Sequence, residues 1–249
     1  MIIDIHTHVG ECRVYDEVIT EENVLGQMNK YNIDISLVQP LFGTIDMETF
    51  RASHDRIYKM MKDNPGRIYG IAAVNPHIKV EDYKGEVRRC VEELGFVGVK
   101  LHTNAHACSP DSKDGAMVCE TAAELDIPII IHTGAGIPTS LPINIVPAAQ
   151  RFPEVKFIAS HSGMIIGSGE TLLAMKLCDN IYTDISWSVP HHIVGFVEEV
   201  GSGRVMFASD EYLNVGPELT NLNDMPISEE DRENISWRTA AKVFSKLPL

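Results

Sequence analysis

Ile127–Gly134, IPIIIHTG, is a run of apolar residues that stops on a histidine followed by two small residues. Lys156–Gly163, KFIASHSG, repeats that arrangement further along the chain. Apolar residues at consecutive rather than alternating positions suit parallel strands covered on both faces. Working outward, similar segments occur at Ile2–His6, Ile35–Gln39, Ile68–Val74, Phe96–Leu101, Asn180–Ile185 and Arg204–Ser209. With Ile127–His132 and Lys156–His161 they make eight strands. Between them lie helical patterns at Met47–Met61, Val80–Glu93, Ala116–Leu125, Ile143–Phe152, Glu170–Cys178 and His192–Val200, and a weaker one at Glu21–Tyr31.

Near the end, Ser228 with Asp231 three residues later forms a capping box ahead of an amphipathic run, Ile235–Leu247. Trp237, Ala240, Ala241 and Phe244 share its expected buried stripe. Strands alternating with helices predict an α/β fold: a single (β/α)8 TIM barrel over residues 1–249 with a C-terminal closing helix. Right-handed crossovers would place all the strand C-termini on one face. The alternative is an open doubly wound sheet. However, the first strand runs into His-Thr-His-Val-Gly rather than a glycine-rich phosphate loop.

The 249 residues suffice for one sizeable core. With 21 Lys+Arg against 35 Asp+Glu, the formal net charge is -14, which disfavours binding to nucleic acid or anionic membranes through a broad positive surface. No window reads as a signal peptide or a membrane span, and the five cysteines include no Cys-x-x-Cys pair. The expectation is a cytoplasmic protein with free thiols and a small-molecule substrate.

Six residues at strand ends carry the chemistry: His6, His8, Lys100, His132, His161 and Asp210. His6 and His8 are one residue apart, so an extended strand turns both imidazoles to one side. Neutral imidazoles with a carboxylate such as Asp210 are ligands for a divalent metal, with zinc the first expectation. His132 and His161 close apolar strands and precede small residues that permit close packing around a ligand. Lys100 has three readings: it binds a substrate anion, pairs with Asp210, or is carboxylated and bridges two metals. His102 follows Lys100 on the same strand face and is a candidate substrate contact. Trp187, just past the seventh strand, is another, as a pocket wall or as loop packing. Asp184 is placed in the same strand-end hydrogen-bond network.

Other residues read more plainly. Turn chemistry is the expectation for His106, Cys108, Ser109 and Asp111, packing for His54, helix initiation for His191 and His192, and solvent exposure for Glu211. Pro138, Pro142 and Pro147 mark a constrained connection.

The ordered set DIHTH (Asp4–His8), GFVGVKLH (Gly95–His102), IPIIIHTG, RFPEVKFIASHSG (Arg151–Gly163), NIYTDIS (Asn180–Ser186), VMFASD (Val205–Asp210) and RTAAKVF (Arg238–Phe244) resembles the amidohydrolase superfamily. The branch it is similar to holds compact metal-dependent hydrolases and decarboxylases, and the resemblance covers nearly the whole chain. It implies His6, His8, His132 and Asp210 as metal ligands. In one-metal relatives His161 stands near the reactive water or substrate. In two-metal relatives Lys100 is the carboxylated bridge and His161 joins the second site.

The leading expectation is a hydrolase of a small amide, ester, lactone or cyclic acid. Metal-activated water would attack, Asp210 would move the proton, and His161 would steady the oxyanion. The chemical alternative is a metal-dependent non-oxidative decarboxylase or hydratase of a small organic acid. The non-enzyme alternative is a metal-containing binding or sensory protein.

Overall fold

A computed structural model describes residues 1–12, 16–41, 46–134 and 136–249. Its strands are β1 (Ile3–Cys12), β2 (Glu17–Ile19), β3 (Ile35–Pro40), β4 (Ile68–Ala73), β5 (Gly98–Leu101), β6 (Ile129–His132), β7 (Phe157–Ser160), β8 (Ile181–Asp184) and β9 (Val205–Met206). They form one sheet in the order β2-β1-β3-β4-β5-β6-β7-β8-β9. β2 is antiparallel to β1, and each pair from β1–β3 onward is parallel.

The β1–β2 hairpin was not foreseen. The first strand runs past His6 to Cys12, and its register against β3 shifts between Asp4 and Thr7. The sheet is curled so that its ends approach each other. Ile5 N donates to Phe207 O (3.2 Å), Asp210 N donates to His6 O (2.7 Å), and Thr7 and Asp210 form a parallel bridge.

The crossovers are helical: α1 (Glu21–Tyr31), α2 (Met47–Asp63), α3 (Val80–Glu92), α4 (Lys113–Leu125), α5 (Ile145–Arg151), α6 (Met164–Leu177) and α7 (Pro190–Val200); α8 (Val215–Asp224) follows β9. Local chemistry sets several of their starts. Thr20, Asp46 and Ser112 each accept a backbone N–H from the first turn of α1, α2 and α4, removing one of the unpaired donors at each helix start.

From β3 to β9 the strands bury nearly every residue on both faces, as the unbroken apolar runs required, whereas β2 and the outer end of β1 are partly exposed. One set of side chains faces inward, with Ile5, Leu37, Ile71, Ile130, Ile158 and Met206 in one cluster. Val38, Ala72, Val99, Ile129, Phe157 and Ile181 belong to a second cluster shared with the helices. Following the inward-facing positions by the strand period of two gives Lys100 after Gly98, His132 after Ile130 and Asp184 after Tyr182. The inner lining therefore changes from apolar to polar at the C-terminal ends of the strands. That change makes a site there.

The other end is plugged. The closing helix begins at α9 (Glu229–Glu233), passes through a π turn at Asn234–Arg238 and ends as α10 (Thr239–Val243), so it starts and stops earlier than the expected Ile235–Leu247. The Ser228 cap is present, accepting from Asp231 N at 3.1 Å. The Ile235 carbonyl accepts from Phe207 N (2.8 Å), which commits part of the π turn to the end of the sheet. Ala240 and Phe244 are fully buried in the inner cluster, while Trp237 is only partly buried against it.

Gly98 accommodates this plug, because a Cβ there would lie 3.0 Å from Ile71 Cδ1 and 3.3 Å from Phe244 Cε1. Gly98→Ala is expected to cost about 1–3 kcal/mol through overpacking. Urea unfolding would show it as a lower midpoint with an unchanged m value, and an unchanged midpoint would refute it.

Candidate metal centre

The bend of β1 and the end of β9 bring three donors together. His6 Nε2 lies 3.0 Å and His8 Nε2 3.3 Å from Asp210 Oδ1, and the two imidazole nitrogens are 3.2 Å apart. Asp4 ties these segments, accepting from His6 N (3.2 Å), Ser209 N (3.0 Å) and Ser209 Oγ (2.6 Å). Burial pushes the Asp4 carboxyl up to about 6 despite those bonds. His8 Nδ1 sits 3.1 Å from the Pro40 carbonyl, and Gln39 Nε2 lies 3.3 Å from His8 Nε2.

Asp184 orients a second part of the site. Its carboxylate lies 3.3 Å from His6 Nδ1 and accepts from His161 N at 2.9 Å. Ser186 Oγ donates to Asp184 Oδ1 (2.6 Å) and lies 2.9 Å from His161 Nδ1. Because a carboxylate only accepts, this contact fixes the proton order. Ser186 gives its hydrogen to Asp184 and accepts from His161 Nδ1–H. His161 Nε2 is then the acceptor facing His132 Nδ1, 3.1 Å away. His132 Nε2 is left unprotonated, buried and, among the described residues, without a hydrogen-bond partner.

The electrostatics agree with neutral imidazoles at these positions. Burial, reinforced by neighbouring positive groups, pushes His132 down to about 2. Burial also takes His161 down to about 4, against the pull of Asp210. His8 is lowered by burial more than Asp210 raises it. His6 differs: burial and Lys100 lower it, but Asp210 and Asp184 together leave it raised. Burial raises the Asp210 carboxyl, yet His161, His6 and His8 outweigh this and hold it well below the usual carboxylate range. Lys100 Nζ is buried 2.9 Å from His6 Nε2, and desolvation lowers its pKa to about 8, partly offset by Asp210 and Asp184.

The donor set fits a divalent cation. Ligands about 2.0–2.2 Å from one ion necessarily lie roughly 3 Å from each other, which is the spacing of His6, His8 and Asp210. The lone pair on His132 Nε2 is a further donor that no group among the described residues engages.

A cavity of about 340 Å³ opens above these groups, lined by His8, Lys100, His102, His132, His161 and Asp210, with Leu41 and Met164 as apolar walls. His102 stacks on His132 with centroids 4.3 Å apart, and its Nδ1 accepts from Ala105 N. The structure thus brings all six strand-end residues to one centre.

A family model for amidohydrolases matches residues 3–246. The chain belongs to the amidohydrolase family. This amidohydrolase is 24% identical over 249 aligned residues to γ-resorcylate decarboxylase from Polaromonas sp. strain JS666, covering 79% of this chain and 76% of that protein. Among solved structures, it resembles a Polaromonas dihydroxybenzoic acid decarboxylase with bound manganese and 2-nitroresorcinol. The TM-score is 0.80 at 17% identity, over 100% of this chain and 98% of that one. The 4-oxalomesaconate hydratase of Rhodopseudomonas palustris aligns with a TM-score of 0.77 at 20% identity, over 99% and 96% of the two chains. At such identities the structural likeness is one of fold.

Several readings of individual residues change. Glu211 is not merely solvent-facing, since it lines the cavity with Glu17 of the unforeseen hairpin. Trp187 is more than an apolar wall: its Nε1 donates to Asp210 Oδ2 at 2.7 Å. His106 and Cys108 are buried, the latter with its sulfur 3.4 Å from Ser112 Oγ. His191 and His192 start α7, stacked edge-on with each other. All five cysteines are buried free thiols, and among the described residues no helix is long and apolar enough to cross a membrane. Asp4, Ser186 and Glu218 were not singled out; Asp4 lies within DIHTH and Ser186 within NIYTDIS, which could have marked them, whereas Glu218 lies in no such segment.

Proposed function

We propose that this amidohydrolase is a metal-dependent non-oxidative decarboxylase of a small aromatic acid. The observation that carries the reading is the position of Asp210, whose carboxylate joins the ligand-bearing face of His6 and His8 to the substrate cavity. The named activities of its relatives favour decarboxylation over the hydrolysis first expected from the sequence. The same reading takes the curled sheet as a (β/α)8 barrel with its site at the strand C-termini.

His6, His8, His132 and Asp210 are the residues that would hold the ion. Bound there, a divalent ion supplies Lewis-acid polarisation of substrate oxygens. One ion suits this chain better than two, because both His161 nitrogens are already engaged by Ser186 and His132. Manganese stands beside zinc as the metal to test.

The side chains then divide the work. Lys100, cationic below about pH 8, draws the substrate carboxylate to the buried end of the cavity. His102, Leu41 and Met164 flank the ring. Asp210, ionised in the resting site, accepts a proton from a substrate hydroxyl. It then delivers that proton to the ring carbon that bears the carboxylate. The bond from that carbon to the carboxylate breaks, carbon dioxide leaves, and the bonding pair returns to the ring.

The test is product analysis with manganese-loaded and zinc-loaded protein on hydroxybenzoic acids, 2,6-dihydroxybenzoate first. Carbon dioxide release that a chelator abolishes and added metal restores is the expected result. Hydrolysis of amides or lactones, with no carbon dioxide from any acid, would return the reaction to the hydrolase class.

A further inference from the structure

Trp187 lies past β8 with φ 55°, and Asp210 lies past β9 with φ 66°. Both sit in left-handed backbone, where a side chain larger than glycine is strained. The strain at Trp187 is not explained by burial of the ring, which is 44% exposed. What the conformation achieves is the 2.7 Å hydrogen bond from the indole Nε1 to Asp210 Oδ2.

Behind Trp187 stands a carboxylate that the reaction does not use. Glu218, on α8 and 3% exposed, accepts from Trp187 N at 2.8 Å. It also accepts from Asn214 Nδ2 (3.0 Å) and Asn221 Nδ2 (3.3 Å). Asn214 Nδ2 donates in turn to the carbonyl of Ser209, the residue before Asp210 (3.1 Å). One buried acid therefore grips the loop after β8 and, through Asn214, the backbone that enters Asp210. Holding a carboxyl there is expensive, and burial pushes it up to about 7 despite its three donors.

We propose that Glu218 and Trp187 are positioning residues for Asp210: Glu218 fixes the Trp187 backbone, and the indole N–H pins Oδ2 so that Oδ1 faces His6 and His8. An indole N–H can only donate, and its rigid ring gives the bond one direction, so it sets the plane of the carboxylate. Without it Asp210 turns about its own side-chain bonds and meets the cavity in several orientations. The inference deepens the proposed reaction and rests on that reading only for its kinetic arm.

In manganese-loaded enzyme assayed on 2,6-dihydroxybenzoate, Trp187→Phe keeps an aromatic ring, though a smaller one, and removes the N–H. Its kcat should fall roughly 10- to 100-fold, the size of a small misplacement of a reacting group, with KM little changed. Glu218→Ala should give a similar loss. Glu218→Gln, whose amide oxygen still accepts from Trp187 N, should recover most of it. The Trp187→Phe/Glu218→Ala double variant should be no slower than the worse single variant, because both act through one contact. Additive losses, or a fall in KM affinity with unchanged kcat, would overturn the proposal.

A second readout needs no turnover. In a Trp237→Phe background Trp187 is the sole indole. Asp210→Ala and Glu218→Ala should each red-shift its emission and increase its quenching by acrylamide, while Glu218→Gln should leave both near the parent. Emission unmoved by either alanine would overturn the proposal whatever the reaction. Emission that responds while no acid is decarboxylated would sink the decarboxylase assignment and leave this placement standing.

Discussion

Asp210→Asn is expected to lower kcat by roughly 10²- to 10⁴-fold, the usual contribution of a positioned acid–base group. The substitution is nearly isosteric, and an amide oxygen can still accept the Trp187 N–H. What disappears is the ability to carry a proton between substrate oxygen and ring carbon. The resting carboxylate is free to accept that proton, because His161, His6 and His8 hold it ionised against its burial, while the same depression makes it a weaker base. The measurement is single-turnover kinetics with metal content determined on the same sample, since Asp210 is also a candidate ligand. Full turnover with metal in place would reject the proton-transfer role. Loss of metal with turnover restored by excess metal would reduce Asp210 to a ligand.

The sequence showed this site unusually well, for a physical reason. In a sheet covered on both faces, the apolar run of each strand ends where the lining turns polar. Thus IPIIIHTG marked His132 and KFIASHSG marked His161 without any knowledge of pairing order. The period of two put His6 and His8 on one side, and Lys100 and Asp184 were marked only by their places at strand ends. What it could not show were contacts made across elements. Glu218 reaches the Trp187 backbone from α8, a helix that was not read from the sequence, and a backbone N–H has no sequence signature. The hairpin strand β2 is three residues long with no clear alternation. His132 was placed with the ligands, but which of its nitrogens would face an ion was not legible: Nδ1 lies 3.1 Å from His161 Nε2, which leaves Nε2. That distinction depends on the Ser186 hydroxyl, and a serine two residues past a strand aspartate is not distinctive.

The same limit hid a network that holds the scaffold under the site. His54 reads as a packing residue on α2, and it is fully buried, but both its nitrogens are committed. Nδ1 lies 2.8 Å from Glu86 Oε1, and Nε2 accepts from Ala73 N at 3.1 Å. Since Nε2 is the acceptor, the ring proton is on Nδ1 and is donated to Glu86. Although His54, Glu86 and Cys90 are close enough to hold a metal, the imidazole has no lone pair left to offer. The cluster is a clip joining α2, α3 and the end of β4.

Glu86→Ala is therefore expected to destabilise the protein by about 3–5 kcal/mol at neutral pH, the usual consequence of removing one partner from a buried polar pair. His54 Nδ1–H would be stranded in the core, and Arg51 Nε and Arg89 Nε, each 3.0 Å from Glu86 Oε2, would lose their acceptor. The wild-type protein should show the same group in its pH dependence. Burial raises the Glu86 carboxyl, but hydrogen bonds from His54 and Arg89 more than reverse this and hold it at about 2, against an ordinary value of 4.5. A depressed carboxyl stabilises the fold above its unfolded pKa, and that stabilisation drains away as pH falls through the folded value. The window is thus about pH 4.5 down to about 2, and the loss through this group is on the order of 3 kcal/mol. Urea unfolding of the wild type and Glu86→Ala across pH 7 to 3 would check both statements. The two curves should converge as the pH falls; a gap that stays constant would mean Glu86 stabilises the fold by packing rather than by charge.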